Sequence, residues 1–170
     1  MYARPFIDSL DFARNGKEIR GEVSVAEMTR LPDMLENPEG TLSYKVRGGV
    51  DRQGNPFLDV SVAGSCPLRC QRCLGALGHK VQIDTRLLLR DQASLDALDA
   101  NVAGGEEEEF DSILADEQLD VLGMLEEEIL LSLPIAPRHE PGACQAADGE
   151  SAHKEEKNPF AALAKLKVVK

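Results

Sequence analysis

The residues best suited to chemistry in this chain are its sulfur and imidazole groups. Cys70 and Cys73, with Gln71 and Arg72 between them, form a Cys-x-x-Cys pair. A tight turn of that length sets two thiolates on one side of a loop, which suits two ligands of a tetrahedral zinc ion. The other two ligands must come from afar. His139 and Cys144 lie five residues apart behind the main helical stretch and can close such a site, and Cys66 competes for the fourth position. Zinc is therefore the expected cofactor, with incidental reduced thiols as the alternative. A redox thiol pair is disfavoured, because no helical pattern starts at Cys70 to acidify it. Catalytic patterns are missing: there is no P-loop and no Gly-x-Gly-x-x-Gly opening a helix. None of His79, His139 and His153 has a neighbouring nucleophile pattern. The acids Glu106 to Glu109 can be imagined holding magnesium for RNA cleavage, but adjacent acids on a loop are ordinarily just solvated. The chain reads as a non-enzyme with no small-molecule substrate.

These ligands need a frame. Phe6, Ile7, Leu10 and Phe12 suggest a short edge strand, and Ile19, Val23 and Val25 another. Leu42, Tyr44 and Val46 alternate onto one face, as do Leu58, Val60 and Val62 beyond a turn at 51–56. Val81, Ile83, Thr85, Leu87 and Leu89 share one side of a longer strand, so Cys66 to Cys73 should form a strand-to-strand connection. Residues 91–109 carry loop and helix features, and 110–114 a short strand. Asp116 looks like an N-cap for a helix in which Leu119, Leu122, Leu125, Ile129 and Leu133 recur at helical spacing until Pro134 stops it. The expected fold is α+β: a mostly antiparallel sheet or partial barrel packed against the 116–133 helix, with a short C-terminal helix on a polar linker. Residues 1–144 should form the domain, 145–157 the linker, and 158–170 the helical motif, opened by Asn158 as N-cap and Pro159 in the first turn.

Hydrophobic residues make up 42% of the 170 and aromatics only 4%, without Trp. The core must be aliphatic, and an RNA platform of stacked aromatics is disfavoured. The net charge of −11 repels RNA and anionic membranes at long range and favours basic partners. That charge is unevenly spread. Residues 91–128 hold fourteen acids and no Lys or Arg, whereas 61–90 hold five basic residues and one acid. The acidic stretch is either a solvated face or a dock for a basic partner. Arg69, Arg72, Lys80 and Arg86, with Lys165 and Lys167 near the end, are the places where RNA can be met locally. Asn158, Pro159, Phe160, Leu163 and Leu166 would make the terminal helix a partner motif, since so short a helix is marginal alone. No apolar h-region opens the chain, and no apolar run nears the roughly 18 residues a membrane span needs. A cytoplasmic location without membrane contact is expected.

Three segments coincide in order and spacing: Cys70-Gln-Arg-Cys73, then Glu126-Glu-Glu-Ile-Leu-Leu-Ser-Leu-Pro-Ile-Ala-Pro-Arg-His139 with Cys144, and finally Asn158-Pro-Phe-Ala-Ala-Leu-Ala-Lys-Leu-Lys167. Together they resemble the YceD family, the large ribosomal RNA subunit accumulation proteins. The resemblance spans most of the chain, although Cys66 departs from the family pattern. It implies a role in accumulation or processing of large-subunit ribosomal RNA and supplies no catalytic residue. The partner would be a large-subunit precursor, met through its RNA or through a basic ribosomal protein. The alternatives are an acidic chaperone for such a protein, or an RNA-processing enzyme.

Overall fold

A computed structural model of the protein describes residues 4–101 and 110–144. The architecture is α+β, dominated by one five-stranded sheet. Its strands are β2 (Glu18–Ser24), β3 (Thr41–Val50), β4 (Pro56–Arg69), β5 (Ala76–Arg90) and β6 (Asp111–Leu114), side by side in that order. All neighbours are antiparallel except β5 and β6, which run parallel. The order does not close among the described residues, so the sheet is open. A separate two-stranded ribbon pairs β1 (Phe6–Ile7) with β7 (Leu119–Asp120).

Strand alternation sorts the residues. Leu42 and Val46 of β3, Leu58, Val60, Val62, Cys66 and Leu68 of β4, and Val81, Ile83, Leu87 and Leu89 of β5 are buried on one face. That face is covered by helix α3 (Val121–Ser132), through Val121, Leu122, Leu125 and Ile129, and by the short helix α1 (Ser9–Arg14), through Phe12 and Ala13. Helix α1 approaches β3 so closely that a Cβ at Gly48 would lie 2.4 Å from the Phe12 carbonyl oxygen. Only glycine fits there. The opposite face of β2–β5 carries Arg20, Lys45, Arg47, Asp59, Ser61 and Gln82 and is not covered by a helix among the described residues.

Several expected elements shift for local reasons. Residues 9–14 form α1 and not an edge strand, because the Asp8 side chain accepts the Asp11 N–H (2.9 Å) and caps a helix there. Val25 leaves β2 for a 3-10 turn, Val25–Glu27. Helix α2 (Gln92–Asn101) follows β5. The main helix starts at Val121, capped by Asp120, whose side chain accepts the Leu122 N–H at 3.1 Å. Asp116 is not the cap. It exchanges hydrogen bonds with Ser9 in both directions, at 2.9 Å each. Leu119 is thereby drawn into β7. Cys66 lies inside β4, and the strand connection shortens to 70–75. The expected linker and terminal helix at 145–170, and the Glu106–Glu109 run, fall outside the described residues.

One buried carboxylate joins the layers. Glu126 of α3 is only 2% exposed, yet its Oε1 accepts the backbone N–H groups of Arg30 (2.6 Å) and Leu31 (2.8 Å). These donors open the 3-10 turn Leu31–Met34, whose first N–H groups have no partner within the turn. Arg30 adds its charge to Glu126 and to the exposed Glu127. Removing the carboxylate strands one buried donor and one partly buried donor. Glu126→Ala should therefore cost about 3 kcal/mol in urea unfolding, and Glu126→Gln, which keeps an acceptor, about 1 kcal/mol. Glu127→Gln, at the surface beside it, should change stability by less than about 0.5 kcal/mol.

Candidate metal centre

The turn between β4 and β5 is built to gather sulfur. Cys70 donates its N–H to the Gly75 carbonyl (2.9 Å), and Leu74 donates back to the Cys70 carbonyl (2.9 Å). Leu74 has φ 61°, a left-handed conformation that a leucine seldom adopts and that turns the chain sharply. The segment after α3 returns to this knuckle. Pro134 ends the helix, and the Pro137 carbonyl accepts the Gln71 N–H at 2.8 Å. His139 and Cys144 follow.

Cys70, Cys73, His139 and Cys144 converge so that their ligand atoms all lie within 4.8 Å of one another. Cys70 Sγ is 3.8 Å from Cys144 Sγ. His139 Nδ1 is 3.4 Å from Cys73 Sγ and 3.6 Å from Cys144 Sγ. A tetrahedral ion with the usual thiolate and imidazole bond lengths sets S–S edges of about 3.8 Å and S–N edges of about 3.6 Å. The donor set therefore fits a single metal ion. The imidazole is oriented for the task. His139 Nε2 lies 3.0 Å from the Ala76 carbonyl oxygen, which can only accept, so Nε2 carries the proton and Nδ1 offers a lone pair to the sulfurs.

The surroundings favour thiolate at two of the three sulfurs. The Cys73 backbone N–H, with further N–H groups nearby, outweighs desolvation and lowers the Cys70 thiol to about 5. Burial pushes Cys144 up, but the Arg72 guanidinium, with Cys73 and His139, brings it below its ordinary value. Arg72 Nε donates to Cys144 Sγ at 2.9 Å. Cys73 is raised: the Gly75 N–H lowers it, but desolvation and the two neighbouring sulfurs prevail. His139 is raised by Cys144, Cys70 and the Ala76 carbonyl. Backbone N–H groups thus acidify Cys70 without the helix that the sequence reading required.

Cys66 lies outside the Cys3His cluster. It sits in β4 among aliphatic side chains, 2% exposed, and burial pushes its thiol up. His139 takes that corner. The four basic residues proposed for RNA lie in different settings. Arg69 pairs with Glu36 at 3.2 Å and donates to the Leu35 carbonyl. Arg72 points to the metal centre, donating also to the His139 and Glu140 carbonyls. Arg86 is held by Asp59. Lys80 alone of the four is exposed with no side-chain partner among the described residues. The role of Arg72 beside the sulfurs was missed from sequence, and its place inside the Cys-x-x-Cys pair was the only available clue. Lys165, Lys167 and the 158–166 motif lie outside the described residues.

Fold and site together define an α+β sheet domain with a Cys3His donor cluster clamped at one end. The chain belongs to the YceD family: the family profile described as large ribosomal RNA subunit accumulation protein YceD matches residues 58–167. A Haemophilus influenzae protein named large ribosomal RNA subunit accumulation protein YceD is 24% identical over 168 residues, covering 95% of this chain and 94% of that relative. No solved structure matches the chain.

Arg72 should matter to metal binding through Cys144. Arg72→Gln is expected to weaken zinc affinity about tenfold in competition with a chromogenic chelator, as loss of a hydrogen bond to a ligand does, while Arg69→Gln leaves it unchanged. Cys73 and His139 are both raised, so protons compete with a metal for them. Apparent affinity should therefore fall as pH falls from neutral into the acid range.

Proposed function

We propose that this chain is a non-enzymatic factor that supports the accumulation or processing of large-subunit ribosomal RNA during assembly, with one structural zinc ion held by Cys70, Cys73, His139 and Cys144. The observation that carries the ribosomal role is the family match over residues 58–167, backed by a relative of nearly equal length whose name states that role. The partner is a large-subunit precursor, reached through its RNA or a basic ribosomal protein, in the cytoplasm. Lys165 and Lys167, which lie outside the described residues, would add contacts to RNA. Three thiolates and one imidazole are a donor set that zinc favours, and four protein ligands leave no open position for substrate. The ion would cross-link the β4–β5 turn to the chain beyond α3, and Arg72 would hold Cys144 in place.

The acidic-chaperone reading is the weaker one. Asp91, Asp116, Asp120 and Glu126 all direct carboxylate oxygens to backbone N–H groups, so a good part of the acidic stretch works inside the fold. In this reading the thiols and the imidazole that a catalytic site would use are the four metal ligands, which favours binding over catalysis.

Deletion of the protein should lower the large subunit relative to the small in sucrose-gradient profiles, and an unchanged ratio would overturn the ribosomal role. Protein purified without a metal-affinity tag should carry one equivalent of zinc by elemental analysis. Less than about a tenth of an equivalent would refute the zinc assignment, given the tight binding of structural sites.

A further inference from the structure

The uncovered face of the sheet holds an assembly that none of the preceding sites uses. The Arg86 guanidinium carbon lies 3.9 Å from the centroid of the Phe57 ring and 5.6 Å from that of Phe110. Its Nε and a terminal nitrogen donate to the two Asp59 carboxylate oxygens, at 2.7 and 3.1 Å. Two of the chain's five phenylalanines are thus gathered around one fixed, planar cation on a face that is otherwise polar.

Beside this stack stand two cations of β3. Lys45 lies across from Ser61, and Arg47 across from Asp59, on the same side of the sheet. Neither makes an ion pair or a side-chain hydrogen bond among the described residues, although both act through space on Glu18, which stands opposite Arg47. Asp59 is engaged by Arg86, and the nearby Glu18 is engaged by Arg20. Lys45, Arg47, Arg86, Asp84 and Phe110 line an open concavity of about 560 Å³.

We propose that this concavity binds single-stranded RNA, with Lys45 and Arg47 meeting phosphates and a base lying against Phe110 at the edge of the stack. The proposal rests on the ribosomal reading above and names the surface by which RNA is held. An aromatic ring or guanidinium plane accepts the face of any base, and cations without partners gain by releasing the counterions of phosphate. Asp84 offers a carboxylate that can accept from a base amino group. The two unpaired cations argue against a basic protein segment as occupant. A chain of −11 net charge meets RNA best where carboxylates are engaged, as Asp59 is by Arg86 and Glu18 by Arg20; Asp84 is the lining carboxylate left to a base amino group. Low aromatic content excludes an extended platform but not a single stack.

The test uses the full chain and an end-labelled single-stranded RNA of about a dozen nucleotides, a length that spans one such face, followed by fluorescence anisotropy at several salt concentrations. The unmodified protein should bind. Lys45→Gln with Arg47→Gln should weaken binding about tenfold or more and reduce the log–log salt slope by about 1.4, the loss expected for two phosphate contacts on a single strand. Phe110→Leu should weaken binding about fivefold or more with the slope retained, as loss of stacking does. Arg14→Gln, on the covered side of the sheet, should bind as the unmodified protein does. Circular dichroism and zinc content show that each variant is folded. Equal affinity of the Lys45/Arg47 double variant and the unmodified protein overturns the site. Absence of binding by the unmodified protein, together with a lowered large subunit in the deletion strain, overturns the site and leaves the ribosomal role standing. Binding that depends on Lys45 and Arg47, together with an unchanged subunit ratio on deletion, supports the site and overturns that role.

Discussion

The pairing of β4 with β5 runs unbroken from Phe57 opposite Leu88 to Arg69 opposite Ala76. Side chains alternate along both strands, so this one register decides which residues are buried and which are presented. A slip of one residue would turn Val60, Val62 and Leu87 to solvent and Asp59 and Arg86 to the core. The same register fixes the length of the 70–75 turn and hence the position of Cys70 and Cys73. It also sets Asp59 directly across from Arg86, which holds the guanidinium against Phe57. The two ends of one hairpin thus position the two sites.

The Cys3His cluster depends equally on what α3 does. The helix packs its aliphatic side against the sheet, and Glu126 ties it to the chain at Arg30 and Leu31. Pro134 then releases the chain at the point from which Pro137 can reach Gln71. The acidic run at 126–128 looks uniform in sequence but divides its work. Glu126 is buried and satisfied, Glu127 is at the surface, and Glu128 is partly buried, its carboxyl raised by desolvation and then by Asp111 and Glu127.

The strongly negative total misleads about where anions can be met. Carboxylates of Asp8, Asp51, Asp91, Asp116 and Asp120 accept backbone N–H groups at turns and helix starts. Each such bond localises the charge and lowers its reach. Net charge governs long-range encounter, whereas contact depends on which charges on a given face remain unpaired.

Much of this was legible in the residues. Alternation marked β3, β4 and β5, the 3.6-residue recurrence marked α3, and Pro134 marked its end, because these patterns express local geometry. The Cys-x-x-Cys pair likewise marked two thiols that a short turn alone brings together. The sequence did not choose between His139 and Cys66, because that choice depends on a β4 register that buries Cys66 and on the chain's return past Pro137. Nor did it show that Asp120 and not Asp116 caps α3, which depends on the distant Ser9 holding Asp116. Arg72 and Arg86 read as free basic residues for the same reason. Their partners, Cys144 and Asp59, lie 72 and 27 residues away. Local spacing specifies turns and periodic faces, whereas the partner of a charged or ligating side chain is set by contacts between segments that only the folded chain brings together.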